Sequence, residues 1–137
     1  MIPRPPGRAA IRRNGAASLF DAMTESVEIA IEPQRVADWL AEDPTLQLVD
    51  VREPYEREAG HIADTRHIEL TKLSAEAASL KGDRPVVFYC RVGARSTMAA
   101  QALRAAGFEA YSMQGGLMRW AGEGRPLSPQ DGYVADH

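Results

Sequence analysis

The chain contains a single cysteine, Cys90, and the residues around it are of types that can activate a thiol. An apolar, β-branched and aromatic run at residues 85–89 precedes it, and a short loop with Gly93 and two arginines, Arg91 and Arg95, follows. A thiolate is the nucleophilic form of cysteine, and neighbouring cations and helix N-termini favour that form. The stretch therefore predicts a reactive thiol beside an anion-binding site.

The loop after Cys90 has features that would hold negative charge. A tight turn that contains Gly93 can point successive backbone N–H groups inward, and the helix expected to open at Ser96, with Ser96 as its N-cap, presents its positive end to the same place. We expect Cys90 to be catalytic. The residues expected to bind an anionic substrate, or a charged sulfur attached to Cys90, are Arg91, Val92, Gly93, Ala94, Arg95 and Ser96. A lone cysteine at a strand end can also be a small buried hydrophobe, and this alternative stays open.

The remainder of the chain alternates between strand-like and helix-like patterns. The predicted strands cover residues 27–31, 46–51, 67–70, 85–89 and 108–113. The predicted helices cover residues 33–42, 53–59, 73–80, 96–106 and 117–123. Such alternation is typical of an α/β fold with a mostly parallel sheet, and the nearly continuous apolar run at residues 85–89 predicts a strand buried on both faces. For the helix after the loop, the expected buried face is Met98, Ala99, Ala102, Leu103 and Ala106.

Ligands of parallel sheets bind outside the carboxyl ends of the strands. Two predicted strand ends carry polar residues of interest. One carries Asp50 and Arg52, and the other carries Cys90 with its loop. These two ends therefore carry the residues most indicative of a ligand site.

The length of 137 residues suits one domain with a single core. Residues 1–22 hold four arginines, one acid and several prolines and glycines, which predicts a disordered basic leader; a transit peptide is the alternative. The domain is expected at residues 23–126, with a patternless C-terminal tail at residues 127–137.

The net charge of −3 argues against a nucleic-acid or membrane partner. With no export signal recognised, a cytoplasmic location is expected.

Four motifs, in order and at the expected spacing, make residues 27–126 similar to rhodanese-like domains, the sulfurtransferase family. Residues 90–96 (CRVGARS) resemble the active-site loop of that family. The other matching motifs are residues 48–53 (LVDVRE), residues 60–62 (GHI) and the glycine pair at residues 115–116 followed by Trp120. One departure is residues 63–67 (ADTRH), where the family commonly has Pro-Gly-Ala.

The resemblance implies a single α/β domain with a five-stranded sheet and helices on both faces. It also implies a ping-pong reaction, in which Cys90 takes a sulfane sulfur from an anionic donor such as thiosulfate and passes the sulfur to cyanide, a thiol or a partner protein. No metal or organic cofactor is implied. Asp50 and Arg52 are expected to pair and support the loop. His61 and His67 are expected to be structural.

Two alternatives remain open from the sequence. Tyrosine and dual-specificity phosphatases have five residues between cysteine and arginine, whereas residues 91–94 place only four between Cys90 and Arg95. The shorter loop disfavours a phosphatase or an arsenate reductase. A non-enzymatic persulfide carrier or sulfide-sensing module would keep the cysteine, so the sequence does not separate it from an enzyme.

Overall fold

The computed structural model describes residues 29–136, in which five β-strands alternate with five α-helices. The strands are β1 (Ala30–Ile31), β2 (Gln47–Asp50), β3 (Arg66–His67), β4 (Val86–Tyr89) and β5 (Ala110–Met113). The helices are α1 (Pro33–Glu42), α2 (Pro54–Ala59), α3 (Leu73–Glu76), α4 (Ala94–Ala105) and α5 (Gly116–Gly122). Short 3-10 turns at Leu70–Lys72 and Ala77–Ser79 flank α3. The basic leader predicted at residues 1–22 lies outside the described residues.

All five strands pair in parallel, in the order β1-β5-β4-β2-β3. The central strand β4 is fully buried along its length, because helices cover both faces of the sheet. The α/β fold and the doubly buried strand predicted from the sequence are therefore confirmed. Within residues 29–136, no helix is both long and apolar enough to cross a membrane.

The side chains of β4 alternate between two hydrophobic clusters, one on each face of the sheet. Val87 and Tyr89 point into the cluster that contains α1 and α5, which Trp39 and Trp120 anchor. Phe88 and Val86 point into the opposite cluster, which α3 and α4 cover. Cys90 belongs to this second cluster, so the packing of α4 against the sheet sets the position of the thiol.

Helix α4 differs from the sequence prediction in its start and in its buried face. The helix begins at Ala94 and its N-cap is Gly93, so the N-cap role predicted for Ser96 is wrong. The buried residues are Ser96, Ala99, Ala100 and Leu103, whereas Met98, Ala102 and Ala106 of the predicted face are exposed. Alanines occur on nearly every side of this helix, so the apolar pattern alone did not determine which face packs on the sheet.

Residues 127–136 contain no helix and no strand, yet they lie against the domain. Leu127 and Val134 pack on the α1–α5 cluster, and the backbone N–H of Tyr133 donates to Ala59 O at 3.0 Å. An isolated antiparallel bridge joins Ser128 to the segment that follows α2. The segment expected to be a tail is therefore packed beside the end of α2.

Candidate active site

Cys90 directly follows β4, and its sulfur faces the inside of the loop. The backbone N–H of Gly93 donates to Cys90 Sγ at 3.0 Å, and the N–H of Ser96 donates at 3.4 Å. The hydroxyl of Ser96 also lies 3.5 Å from the sulfur. Because N–H groups that converge on one atom form an anion site, the arrangement stabilises negative charge on the sulfur. Cys90 itself is only 1% exposed.

The first turn of α4 holds the loop in this shape. Gly93 has φ +120°, a left-handed conformation that favours glycine. Its carbonyl accepts hydrogen bonds from the hydroxyls of Thr97 at 2.7 Å and Ser96 at 3.2 Å. Ser112 of β5 lies 2.8 Å from the Ser96 hydroxyl and extends this network to the sheet. The contributions of Thr97 and Ser112 were not predicted from the sequence, since nothing in their spacing connects them to Cys90.

The first turn of α5 binds the backbone on the other side of the sulfur. The N–H of Leu117 donates to Cys90 O at 2.8 Å, and the N–H of Met118 donates to Arg91 O at 2.9 Å. A helix begins with N–H groups that have no partner inside the helix, and here two of them bind the loop. The helix that begins at the glycine pair therefore holds the backbone of the cysteine loop in place.

Arg95 is bound by a carboxylate that was not among the predicted site residues. Its guanidinium forms two hydrogen bonds with Glu56, at 2.7 and 2.9 Å, and the carboxylate is fully buried. Glu56 also accepts the backbone N–H of Glu53 at 3.1 Å. A glutamate three residues after the N-cap of α2 is the capping-box spacing, and this was the signal in the sequence that could have identified Glu56 as fixed.

This pair changes the pKa values of both partners. The hydrogen bonds that Arg95 donates to Glu56, together with the negative charge of that carboxylate, raise the pKa of Arg95, although burial acts in the opposite direction. Burial acts to raise the pKa of Glu56, but the hydrogen bonds from Arg95 and from the backbone N–H of Glu53, together with the charge of Arg95, more than offset it and lower the pKa. Both groups therefore stay charged at neutral pH.

The side chain of Arg91 pairs with the C-terminal segment. It forms an ion pair with Asp136 at 2.9 Å, and the carboxylate of Asp136 is 96% exposed. Val92 is about half exposed, and Ala94 is exposed. The residues predicted to bind substrate thus divide into an inner group, Gly93 and Ser96, which contacts the sulfur, and an outer group whose contacts lead elsewhere.

Asp50 and Arg52 form the predicted pair, with both side chains fully buried. Arg52 donates to the two carboxylate oxygens at 2.9 and 2.8 Å, and also to Gly60 O at 2.8 Å. Burial acts to lower the pKa of Arg52, but the hydrogen bond and charge of Asp50 more than offset it and raise the pKa. The pair braces the segment around α2 rather than touching the cysteine loop, and α2 supplies the Glu56 that holds Arg95.

Both predicted structural histidines contact backbone carbonyls. His61 Nδ1 lies 2.9 Å from Arg57 O, and His67 Nε2 lies 2.7 Å from Arg52 O. Neither contact involves the sulfur. In the part of the chain from residue 29 to 136, no group of three or more His, Cys, Asp or Glu side chains is arranged to hold a metal ion.

The Glu56–Arg95 pair predicts a pH dependence of stability. The folded-state pKa of Glu56 lies below its ordinary value of 4.5, so the pair stabilises the fold fully above that value and loses this contribution as the pH falls through the lowered pKa. We expect Glu56→Gln to be less stable than wild type at pH 7, and the difference to shrink steadily below pH 4.5. Urea unfolding across this range measures it. Asp83→Asn, at an exposed position, is the control, and a constant Glu56→Gln difference would contradict the expectation.

Comparison with known proteins places this geometry in a family. The family model described as "Rhodanese-like domain" matches residues 32–123. A sulfurtransferase of Allochromatium vinosum is 32% identical over 103 residues, which cover 74% of this chain and 96% of that protein. The uncharacterized protein YqhL of Bacillus subtilis is 45% identical over 78 residues, 56% of this chain. The chain spans 62% of that relative's length.

The tertiary structure agrees with the sequence comparison. The crystal structure of a rhodanese-related protein from Thermoplasma volcanium matches with a TM-score of 0.64 and 30% identity, over 72% of this chain and 95% of that one. The match of the family model, the parallel sheet and the loop that holds Cys90 lead to one conclusion: the chain belongs to the family of rhodanese-like domains.

Proposed function

We propose that the protein is a sulfurtransferase that carries sulfane sulfur as a persulfide on Cys90. The observation that carries the proposal is the pair of N–H groups, from Gly93 and Ser96, that donate to Cys90 Sγ. They stabilise a thiolate before the reaction and the returning thiolate after it. The sulfurtransferase relative that this chain almost completely covers supports the same reaction class.

The proposed reaction has two balanced steps. The Cys90 thiolate attacks the outer sulfur of a donor such as thiosulfate; a new S–S bond forms, the donor S–S bond breaks, and sulfite leaves with the electron pair. An acceptor thiolate or cyanide then attacks the outer sulfur of the persulfide, and Cys90 leaves as a thiolate. The sulfur moves with no net oxidation or reduction, so the reaction needs no external electron carrier.

The two loop arginines would contribute differently to donor binding. The Arg91–Asp136 pair has an exposed carboxylate, so it is worth less than about 1 kcal/mol and opens readily for an anionic donor. Arg95 is held by two hydrogen bonds to the buried Glu56 and serves as a fixed positive charge beside the loop. Under this proposal Arg91 contacts the donor, and Arg95 acts from a distance.

Mass spectrometry of the intact protein tests the proposal. After thiosulfate treatment and removal of excess reagent, we expect a gain of one sulfur, about 32 Da, on Cys90. Cyanide should remove it with formation of thiocyanate, and repeated cycles would distinguish an enzyme from a carrier that loads once. Cys90→Ser should show no gain, because a hydroxyl does not form the persulfide. A wild-type protein without the adduct would refute the proposal.

A phosphatase assay tests the main alternative function, that of a cysteine-dependent phosphatase. A phosphoryl group needs an arginine free to bind its oxygens, whereas Arg95 already gives two hydrogen bonds to Glu56. We therefore expect no release of phosphate from an aryl phosphate above that of Cys90→Ser. Phosphate release that depends on Cys90, in a protein that takes up no sulfur, would favour the phosphatase.

A further inference from the structure

Three hydroxyl side chains form a connected group beside the sulfur of Cys90. We call this group the hydroxyl relay: Ser96 and Thr97 of α4 and Ser112 of β5. Ser96 and Ser112 are buried, and the Ser96 oxygen lies 3.5 Å from Cys90 Sγ and 2.8 Å from the Ser112 oxygen. Because each hydroxyl has one proton to donate, the contacts within the relay decide which acceptor each proton reaches.

Thr97 satisfies the carbonyl of Gly93. The Thr97 hydroxyl donates to Gly93 O at 2.7 Å, and the backbone N–H of Thr97 donates to the same oxygen at 3.0 Å. A carbonyl oxygen has two lone pairs, so these two donors use both of them. The Ser96 hydroxyl also reaches Gly93 O, at 3.2 Å, but there it is a third and longer donor. The Ser96 proton is therefore not needed at this carbonyl.

Ser112 supplies a donor to the oxygen of Ser96. In the part of the chain that the structure describes, the Ser112 hydroxyl contacts two other hydroxyls, that of Ser96 at 2.8 Å and that of Thr97 at 3.3 Å. A buried hydroxyl that donates to no acceptor costs free energy, and the shorter distance favours Ser96 as the acceptor. The Ser112 proton therefore points to Ser96, and the Ser96 proton has to point elsewhere.

The sulfur of Cys90 is the acceptor that remains for the Ser96 proton. When Cys90 is a thiolate, the Ser96 hydroxyl adds a third donor to the N–H groups of Gly93 and Ser96 that already reach the sulfur. When Cys90 is a thiol, its S–H can donate to the Ser96 oxygen while the Ser96 proton turns to Gly93 O. The change requires only the rotation of one hydroxyl, so the relay follows the charge of the sulfur without moving a heavy atom.

We propose that Ser112 is a positioning residue that acts on Cys90 through Ser96: it directs the Ser96 hydroxyl proton to the sulfur and so stabilises the thiolate. This inference deepens the proposed function, because it rests on Cys90 being the reacting thiol. Hydrogen bonds to the charged form of a group favour that form, and burial of the relay keeps water from replacing them.

The relay contains no charged group, so its effect is separable from that of the nearby charges. Arg95 of α4 interacts electrostatically with Cys90, and Glu56 of α2 binds Arg95. Arg91 follows Cys90 in the chain and pairs with Asp136. A change at Ser112 removes a neutral hydroxyl and leaves all four of these charges in place.

The rate at which iodoacetamide alkylates Cys90, measured against pH on the full chain, tests the proposal. The reagent reacts with the thiolate, so the midpoint of the profile reports how well the thiolate is stabilised. We expect Ser112→Ala and Ser96→Ala each to raise the midpoint by about 0.5–1 pH unit, because a hydrogen bond to the charged sulfur is weakened or lost. The double variant should have the midpoint of Ser96→Ala, because Ser112 acts only through Ser96.

Thr65→Val is the matched control. Its hydroxyl is also buried, but it binds Ile62 O at 2.6 Å and the hydroxyl of Tyr89 at 3.0 Å, and Tyr89 points to the opposite face of the sheet from Cys90. Loss of this hydroxyl should lower the stability of the fold and leave the alkylation midpoint unchanged.

Thr97→Val keeps the proposal testable if Ser112→Ala does not fold. Gly93 O then loses its shortest donor and draws the Ser96 proton away from the sulfur, so the midpoint should again rise. A wild-type midpoint in Ser112→Ala, or in Thr97→Val where Ser112→Ala is unfolded, would overturn the proposal, as would additive shifts in the double variant. A wild-type protein that is alkylated as expected but takes up no sulfur from thiosulfate would instead refute the proposed function.

Discussion

Replacing Gly116 by alanine is expected to lower the free energy of unfolding by about 3 kcal/mol and to disturb the cysteine loop. An added Cβ would lie 2.4 Å from Arg91 O and 2.6 Å from Cys90 O, and Gly116 has φ +60°. Both close atoms belong to the backbone beside the sulfur. They cannot move away without stretching the hydrogen bond from Leu117 to Cys90 O.

Two measurements check the Gly116→Ala expectation: denaturant unfolding, and the rate at which Cys90 reacts with a thiol reagent. The matched control is Gly122→Ala in the same helix, where an added Cβ meets no atom within 4 Å. The control should be neutral or stabilising by up to about 1 kcal/mol, because alanine favours a helix more than glycine does. If both variants were equally stable, the close approach of α5 to the loop would be wrong.

Removing the Asp50 carboxylate by Asp50→Ala is expected to cost about 3–5 kcal/mol of stability. Arg52 is fully buried and would lose three hydrogen bonds, two from its guanidinium and one from its backbone N–H. A buried guanidinium without its counter-charge pays the cost of leaving water with little compensation. The segment around α2, which Arg52 holds through Gly60 O, should loosen as a result.

A double-mutant cycle of Asp50→Leu, Arg52→Met and the two combined separates the cost of an unpaired buried charge from the net contribution of the pair to stability. The double variant Asp50→Leu with Arg52→Met should recover part of the loss, because it removes the fully buried guanidinium together with its counter-charge. Arg57, which also contacts Asp50, keeps its hydrogen bonds to Thr65. The control is Glu123→Ala, which removes the partly exposed ion pairs with Arg119 and Arg125 and should leave the stability nearly unchanged, because such pairs are screened by water. If the double variant were as unstable as Asp50→Ala alone, the loss of stability would come from altered packing and not from an unpaired charge.

The local features of the site were predictable from the sequence. Residues 85–89 carry a nearly continuous apolar pattern, and this predicted the buried strand that ends at Cys90. The sequence also predicted a tight loop from its one glycine and placed Asp50 at the end of a strand. Each of these depends on residues adjacent in the chain, where backbone preferences and short-range spacing apply.

Contacts between distant residues were not predictable in the same way. Glu56 and Arg95 are 39 positions apart, and either one could have been a solvated surface charge. The N-cap of α4 was assigned to Ser96 because serine is a common cap, but Gly93 takes that place with a φ that suits glycine. Ser96 instead turns inward to the sulfur and to Ser112.

The sequence by itself determined which atom is the nucleophile candidate, which strand presents it, and which loop surrounds it, because these follow from neighbouring residues. Only the tertiary structure decided what the loop arginines bind. Packing brings the carboxylate of Glu56 from α2 and that of Asp136 from the C-terminal segment to them, so the charges that the sequence assigned to a substrate are already paired. The same packing decides which face of α4 is buried: Ala99 and Ala100 lie against the sheet, and Met98 is exposed.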